Sequence, residues 1–327
     1  MKRLVWLLAV VSVLAGCNAD KRLFNKAQLA ASQGKLSEAI QLYTRLVKQD
    51  PNNASAYLNR GVLWERLPVK DAKERAKNRT YAEQDYLHAI KLAPDMAQAY
   101  NNVGALYLDV GNNEDALFYL TAAIALKPNY FTAFMNRAIA NHRTGRLLAS
   151  IVDFNSASKI KQDDPVLLLN RSLAFFDLGQ YEDAVKDLTY LLVLDPNNAR
   201  AHLERARSLI ELGFPGDAYT DLEQAATLQP SYALAYYYMG DLLFRRGDTN
   251  AGLGMLVKSK ELASHYVPTY ELMGDMLSLE DPVAATANYM VAKKLDPSNA
   301  RRYNAKIKLM KSTQGRERVF ANRFYKK

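Results

Sequence analysis

Among the residues able to do chemistry, a series of asparagines is the most regular feature. Asn102, Asn136 and Asn170 stand 34 residues apart, and Asn59 precedes Asn102 by the same interval lengthened by nine. A carboxamide carries both donors and an acceptor. A row of them on one surface can therefore hold the main chain of an extended peptide without reading its side chains. Nucleophilic and metal chemistry is poorly represented by comparison. The chain has one cysteine, Cys17, and four histidines, His88, His142, His202 and His265, scattered along its length. No His-Glu-x-x-His, Gly-x-Ser-x-Gly, P-loop or dinucleotide-binding glycine pattern occurs. No stretch outside the periodic region is long enough to fold alone as a catalytic domain. The expectation is a binding protein with no catalytic residues, no metal and no cofactor.

The elements that would position the asparagines follow from the same period. Gly111, Gly145, Gly179, Gly213 and Gly247 are spaced by 34 residues. With these glycines set at repeat position 15, position 8 is small in every unit: Ala27, Gly61, Gly104, Ala138, Ser172, Ala206, Gly240 and Gly274. Position 20 is also small throughout, from Ala39 to Ala285, and position 24 is always large, from Tyr43 to Tyr289. Position 32 carries Pro51, Pro94, Pro128, Pro196, Pro230 and Pro297. Small residues let two helices approach, the large residue fills the space between them, and Gly and Pro punctuate the turns. A fixed period of this length is the signature of a stacked helical array. The pattern resembles the tetratricopeptide repeat family over residues 20–299. The resemblance implies an all-α, right-handed α-solenoid of eight helix pairs, with a capping helix after the last.

Three departures stand out. Trp64 and Ala82 are nine residues further apart than their counterparts in the next unit, and residues 71–79 are rich in Lys, Arg, Glu and Ala. That insertion, near 68–80, reads as about two extra turns on a second helix, either a solvated decoration or a docking element. The seventh unit carries Gly252 and Gly254 in its second helix and reads as a soft joint. The eighth has Asp281 where the turn glycine should stand.

The two ends differ in kind. Lys2 and Arg3 precede an apolar run over residues 4–14, too short to span a membrane, and then Leu14-Ala15-Gly16-Cys17. These features read as an export signal over residues 1–16. The four residues resemble the lipobox of bacterial lipoproteins. That likeness implies cleavage before Cys17, lipid on its sulfur and new amino terminus, and a short tether over 17–22 of at most about 18 Å beyond the anchor. Asn18, rather than aspartate, implies sorting to the outer membrane, on its periplasmic face. At the other end, residues 301–327 hold ten Lys or Arg and one acid, Glu317. With the export segment removed the repeat body, over 23–299, is slightly acidic, so the chain's formal charge of +9 comes from this end. Tyr303, Ile307 and Met310 share one helical face and predict a capping helix over 300–314. Residues 315–327 read as a basic tail, either solvated or an amphipathic stretch marked by Phe320 and Phe324 whose target would be an anionic surface. Nucleic acid is not an expected partner, because the basic residues are not spread over the repeats.

In the resembling family the first helix of each unit lines the concave face. The candidate peptide-binding groove is accordingly Asn59, Asn102, Asn136, Asn170, His142, Arg143, Phe176, Arg207 and Tyr238. Arg60, Arg137, Arg171 and Arg205 stand at the neighbouring position 7. They either pair with acids such as Asp153 and Asp187 or reach a ligand. The sequence implies a lipid-anchored scaffold that binds another envelope protein or a peptide segment of it. The alternative is a protein that binds or processes cell wall or polysaccharide.

Overall fold

A computed structural model describes residues 20–324. The expected export segment, the expected lipidation site Cys17 and the last three residues lie outside the described residues. Every described element is helical. The order is α1 (residues 20–32), α2 (Leu36–Gln49), α3 (Ala54–Arg66), α4 (Ala72–Leu92), α5 (Ala97–Asp109), α6 (Asn113–Leu126), α7 (Phe131–Arg143) and α8 (Leu147–Ile160). Then come α9 (Pro165–Asp177), α10 (Tyr181–Leu194), α11 (Ala199–Glu211), α12 (Pro215–Leu228), α13 (Ala233–Arg245) and α14 (Thr249–Leu262). The last are α15 (Val267–Leu277), α16 (Pro282–Leu295), a 3-10 turn (Pro297–Asn299), α17 (Ala300–Leu309) and α18 (Thr313–Phe324). The chain is an α-solenoid of helix pairs, α1/α2 to α15/α16. It divides into two compact units, the first ending at Leu167 and the second beginning at Leu168, within α9. No described helix is long and apolar enough to cross a membrane.

The small-large-small code works as a contact. In the first unit a Cβ added to Gly61 would lie 2.5 Å from the Tyr86 ring, and one on Gly104 would lie 2.6 Å from Leu120. In the second unit Gly240 stands in the same relation to Leu256, and Gly274 to Tyr289. Position 20 is shut from solvent at Ala39, Ala82, Ala116, Ala184, Ala218 and Ala285. The turn glycines do a different job. At Gly145 φ is +73° and an added Cβ would meet nothing. The need there is for left-handed backbone, not space. The main chain closes as a Schellman turn, with the Arg146 N–H donating to the Asn141 carbonyl at 2.8 Å.

The position-7 arginines are structural clamps. Arg60, Arg137, Arg171 and Arg205 each make two bonds to one aspartate of their own unit: Asp85, Asp153, Asp187 and Asp221, at 2.6–2.9 Å. Three also donate to a threonine of the preceding unit at 3.2 Å: Arg60 to Thr44, Arg137 to Thr121, Arg205 to Thr189. Each of these three thus ties its own second helix to the helix pair before it. Burial pushes the Asp85 and Asp187 carboxyls above the usual range, against the downward pull of Arg60 and Arg171.

The departures resolve as follows. The insertion does extend a second helix. Asp71 caps α4 by accepting from the Glu74 N–H, and α4 runs 21 residues where α6 has 14. Asp281 is the N-cap of α16, accepting from the Ala284 N–H at 2.9 Å, and α15 is correspondingly short at 11 residues. The expected soft joint is not one at Gly252. A Cβ there would sit 2.8 Å from Met276 and 2.9 Å from the Gly240 carbonyl, so Gly252 is a packing glycine in an unbroken helix.

The basic end also differs from expectation. The capping helix stops at Leu309, and residues 313–324 form α18 rather than a solvated tail. Ser312 opens it by accepting from the Gly315 N–H at 3.1 Å. Val319 is buried, and Phe320 meets Phe244 of α13 edge-on at 5.2 Å. Phe320 thus finds a partner far upstream, while Val319 packs with Ala285, Tyr289 and Met310. The charges of Arg318 and Glu317 stay exposed.

Two predictions follow from this packing. Phe320→Ala should lower stability by about 1–3 kcal/mol, and removing residues 313–327 should cost at least as much. Urea unfolding would show it, and hydrogen exchange should quicken first in α15 and α17. For the clamps, Arg60→Leu should cost about 3–5 kcal/mol by stranding a buried carboxylate, whereas Arg60→Leu with Asp85→Leu should recover most of it. The deficit of the single variant should shrink as pH falls through the raised Asp85 titration, because the folded state then takes up the proton more readily than the unfolded chain. Thermal melts at pH 4 and pH 7 would check the sign.

Candidate functional site

All nine residues of the expected groove lie on first helices: Asn59 on α3, Asn102 on α5, Asn136, His142 and Arg143 on α7, Asn170 and Phe176 on α9, Arg207 on α11 and Tyr238 on α13. First helices meet the first helix of the next pair, as α5 does α7 and α11 does α13. These residues therefore stand on neighbouring first helices within each unit.

In the first unit the amides are partly joined. Asn136 Nδ2 donates to Asn101 Oδ1 at 3.3 Å, and Asn101 Nδ2 donates to Asn102 Oδ1 at 3.3 Å. Burial and Glu65 raise the titration of the Tyr86 hydroxyl, and Asn102 lies close enough to it to draw that titration down. The buried Asn101, which the period alone does not single out, is the link between the two row positions. Asn59 turns back on its own helix, donating to the Ser55 carbonyl at 2.7 Å, and takes no part in that chain of bonds. Each half-buried amide keeps bonding capacity after these contacts, since it has two N–H groups and two lone pairs. Arg143 donates from Nη1 to the Leu108 carbonyl at 2.7 Å, satisfying a carbonyl in the last turn of α5. His142 beside it is half-buried.

The second unit gathers the rest into an aromatic cluster. The Arg207 guanidinium lies 4.5 Å from the centre of the Phe176 ring and 5.9 Å from that of Tyr238. It donates from Nη1 to Glu204, a carboxylate that is only 8% exposed. Tyr237 packs edge-on against Tyr238 at 5.1 Å and Tyr266 at 5.4 Å. Burial pushes the Tyr238 hydroxyl above its usual range, against the pull of Arg207, so it keeps its proton at neutral pH. The Arg207 Nε–H is shut from water and has no acceptor. Such a donor carries a desolvation cost that a carbonyl or carboxylate oxygen would remove. Asn170 stands on the same row, one helix before Arg207, and has a bonding partner of its own.

Nothing in this arrangement assembles a nucleophile, base and oxyanion site. His88 lies tilted against Tyr57 with ring centres 4.2 Å apart, and His202 bonds Asp221 at 2.8 Å. Among the described residues no three His, Cys, Asp or Glu groups lie together as metal ligands. What the row offers is amide, guanidinium and aromatic surface, which is the chemistry of peptide recognition.

Two models of the tetratricopeptide repeat match the chain, one over residues 28–67 and 172–213 and the other over 104–165 and 203–251. Solved structures of the same kind are similar to it. A tetratricopeptide repeat protein from Parabacteroides merdae is 17% identical, with 78% of this chain and 98% of that one covered and a TM-score of 0.54. PilF of Pseudomonas aeruginosa is 19% identical, with 64% and 97% covered and a TM-score of 0.55. YrrB, described as a tetratricopeptide repeat protein with an unusual peptide-binding site, is 20% identical, with 56% and 95% covered and a TM-score of 0.50. At such identities the likeness is one of fold alone. The matched models, the 34-residue code and the paired helices agree, and the chain is a tetratricopeptide repeat protein.

Proposed function

We propose that the protein is a lipid-anchored scaffold of a bacterial envelope that binds an extended segment of another envelope protein along its first helices. The observation that carries the binding role is the Arg207 cluster. It joins a cation held between two rings, a buried counter-charge and one N–H donor without an acceptor. A peptide carbonyl or acidic side chain would satisfy that donor, and an apolar residue would cover the exposed edges of Phe176 and Tyr238. In the first unit Asn102 and Asn136 would hold main chain through their remaining capacity. The peptide-binding site of YrrB supports this reading by analogy of fold. The anchor rests on sequence: the charged start, the apolar run, and a sole cysteine placed after Leu-Ala-Gly. With it comes the expected place, the periplasmic face of the outer membrane. Machinery such as pili, secretion or outer-membrane assembly is the setting that suits a scaffold so placed. The exposed basic residues of the C-terminal region, such as Arg318, would add attraction to anionic surfaces.

The test is affinity capture from detergent-solubilised envelopes. Arg207→Ala should reduce recovery of the partner at least about tenfold, as loss of a buried guanidinium does at an interface. Asn102→Ala with Asn136→Ala should reduce it less, and the helical circular dichroism of all variants should match. Equal recovery by every variant would remove the first-helix surface from consideration. In the producing cell, Cys17→Ser should move the protein from the membrane to the soluble fraction, and retention in the membrane would sink the anchor.

A further inference from the structure

The extended α4 does more than decorate the first unit. Together with the end of α3, the connecting residues and the end of α5, it encloses a cleft of about 460 Å³. Trp64, Leu67, Pro68, Val69 and Leu106 supply its apolar half, and Glu65, Arg75, Asn78, Arg79 and Asp109 its polar half. Asn78, in the lengthened part of α4, lines it, and a normal-length helix starting later would not place an amide there. Asn78 is only 6% exposed, and its Nδ2 has no hydrogen-bond partner. The charged groups around it are already engaged. Arg79 pairs with Asp109, and Glu65 accepts from the Tyr86 hydroxyl. Arg75 lies at the exposed rim.

We infer that this cleft is a second binding site, which takes one apolar residue of a polypeptide and satisfies Asn78 with that residue's neutral carbonyl oxygen. With Arg79 and Asp109 paired and Glu65 bonded to Tyr86, the buried group left unspent is Asn78, a neutral donor beside the apolar wall. That combination suits an amide carbonyl next to a hydrophobic side chain better than an anion, which would have to compete with Glu65 and Asp109. Trp64 is backed by Tyr81, with ring centres 4.9 Å apart, and gives the side chain a fixed flat wall. The Asn78 amide turns about a soft terminal torsion, so its N–H can swing towards an entering carbonyl without moving α4. The volume lies within the range of ligand pockets. This site stands apart from the first-helix row and does not depend on it.

The probe is N-acetyl-leucinamide, with N-acetyl-leucine as its anionic counterpart, titrated into the 15N-labelled full chain. The Asn78 side-chain amide and the Trp64 indole N–H should shift together, with affinity on the order of 1–10 mM for so small a probe. Asn78→Leu removes the donor at similar volume. It should weaken the amide probe about fivefold or more and leave the melting temperature of the free protein equal or higher, since a buried donor without a partner costs stability. Asn78→Ala makes the same comparison should the leucine not be accommodated. Phe118→Ala, at an exposed residue of α6 that belongs to neither site, should bind the probe unchanged. Three results would overturn the inference: no shift at Asn78 or Trp64, equal affinity in the Asn78 variants, or an anionic probe that binds tighter than the amide and loses that advantage in Arg75→Gln.

Discussion

Everything in this chain rests on how closely two helices of one pair can approach. At Gly61 and Gly274 the facing tyrosine leaves no room for even one added carbon. That contact sets the separation of the pair, and the separation sets which face each helix shows to the next unit. A repeat protein lacks long-range contacts that could repair a local error, because each unit touches mainly its neighbours. The same small-large contact must therefore be made afresh in every unit, and it is what the 34-residue code encodes. The arginine clamps add a second constraint. By holding an aspartate of their own unit and a threonine of the previous one, they couple the closing of a pair to its stacking.

How far the sequence discloses this depends on whether an interaction is local and repeated. Positions 8, 20 and 24 are visible because they recur, and so is the pairing of Arg137 with Asp153, since the same sixteen-residue offset links Arg171 to Asp187 and Arg205 to Asp221. The features that recurrence does not teach are those made once. Phe320 marks a slight apolar face amid charge, and nothing nearby announces that Phe244 is its partner. Gly252 looks like a helix breaker until Met276 and the Gly240 carbonyl are seen against it. Asn101 precedes a position in the row yet points the other way in the code, and it is the residue that joins Asn102 to Asn136.

The candidate groove shows the same division. Its helices were legible, and all nine residues do fall on them. Their chemistry was not, because a side chain on the right face can still spend itself on the fold. Arg143 bonds a helix end and Asn59 bonds its own turn. Arg207 is unlike them, since its charge is held by Glu204 while its Nε–H has no acceptor.

That difference separates structural polar groups from those that wait for a ligand. A folded chain satisfies nearly all its buried donors, because each one left unpaired forfeits the hydrogen bond it had with water. Among the described residues only Asn78, Asn113 and Arg207 retain a buried polar atom without a partner. Asn113 has a side-chain acceptor so placed, in the first turn of α6. The other two lie on surfaces of different origin. Arg207 stands on the repeated first-helix face, while Asn78 stands on the one insertion that breaks the repeat. A scaffold assembled from copies of one unit presents similar chemistry at every step. Singular recognition then has to come from places where the copies differ, and the lengthened α4 is the largest such difference in the array.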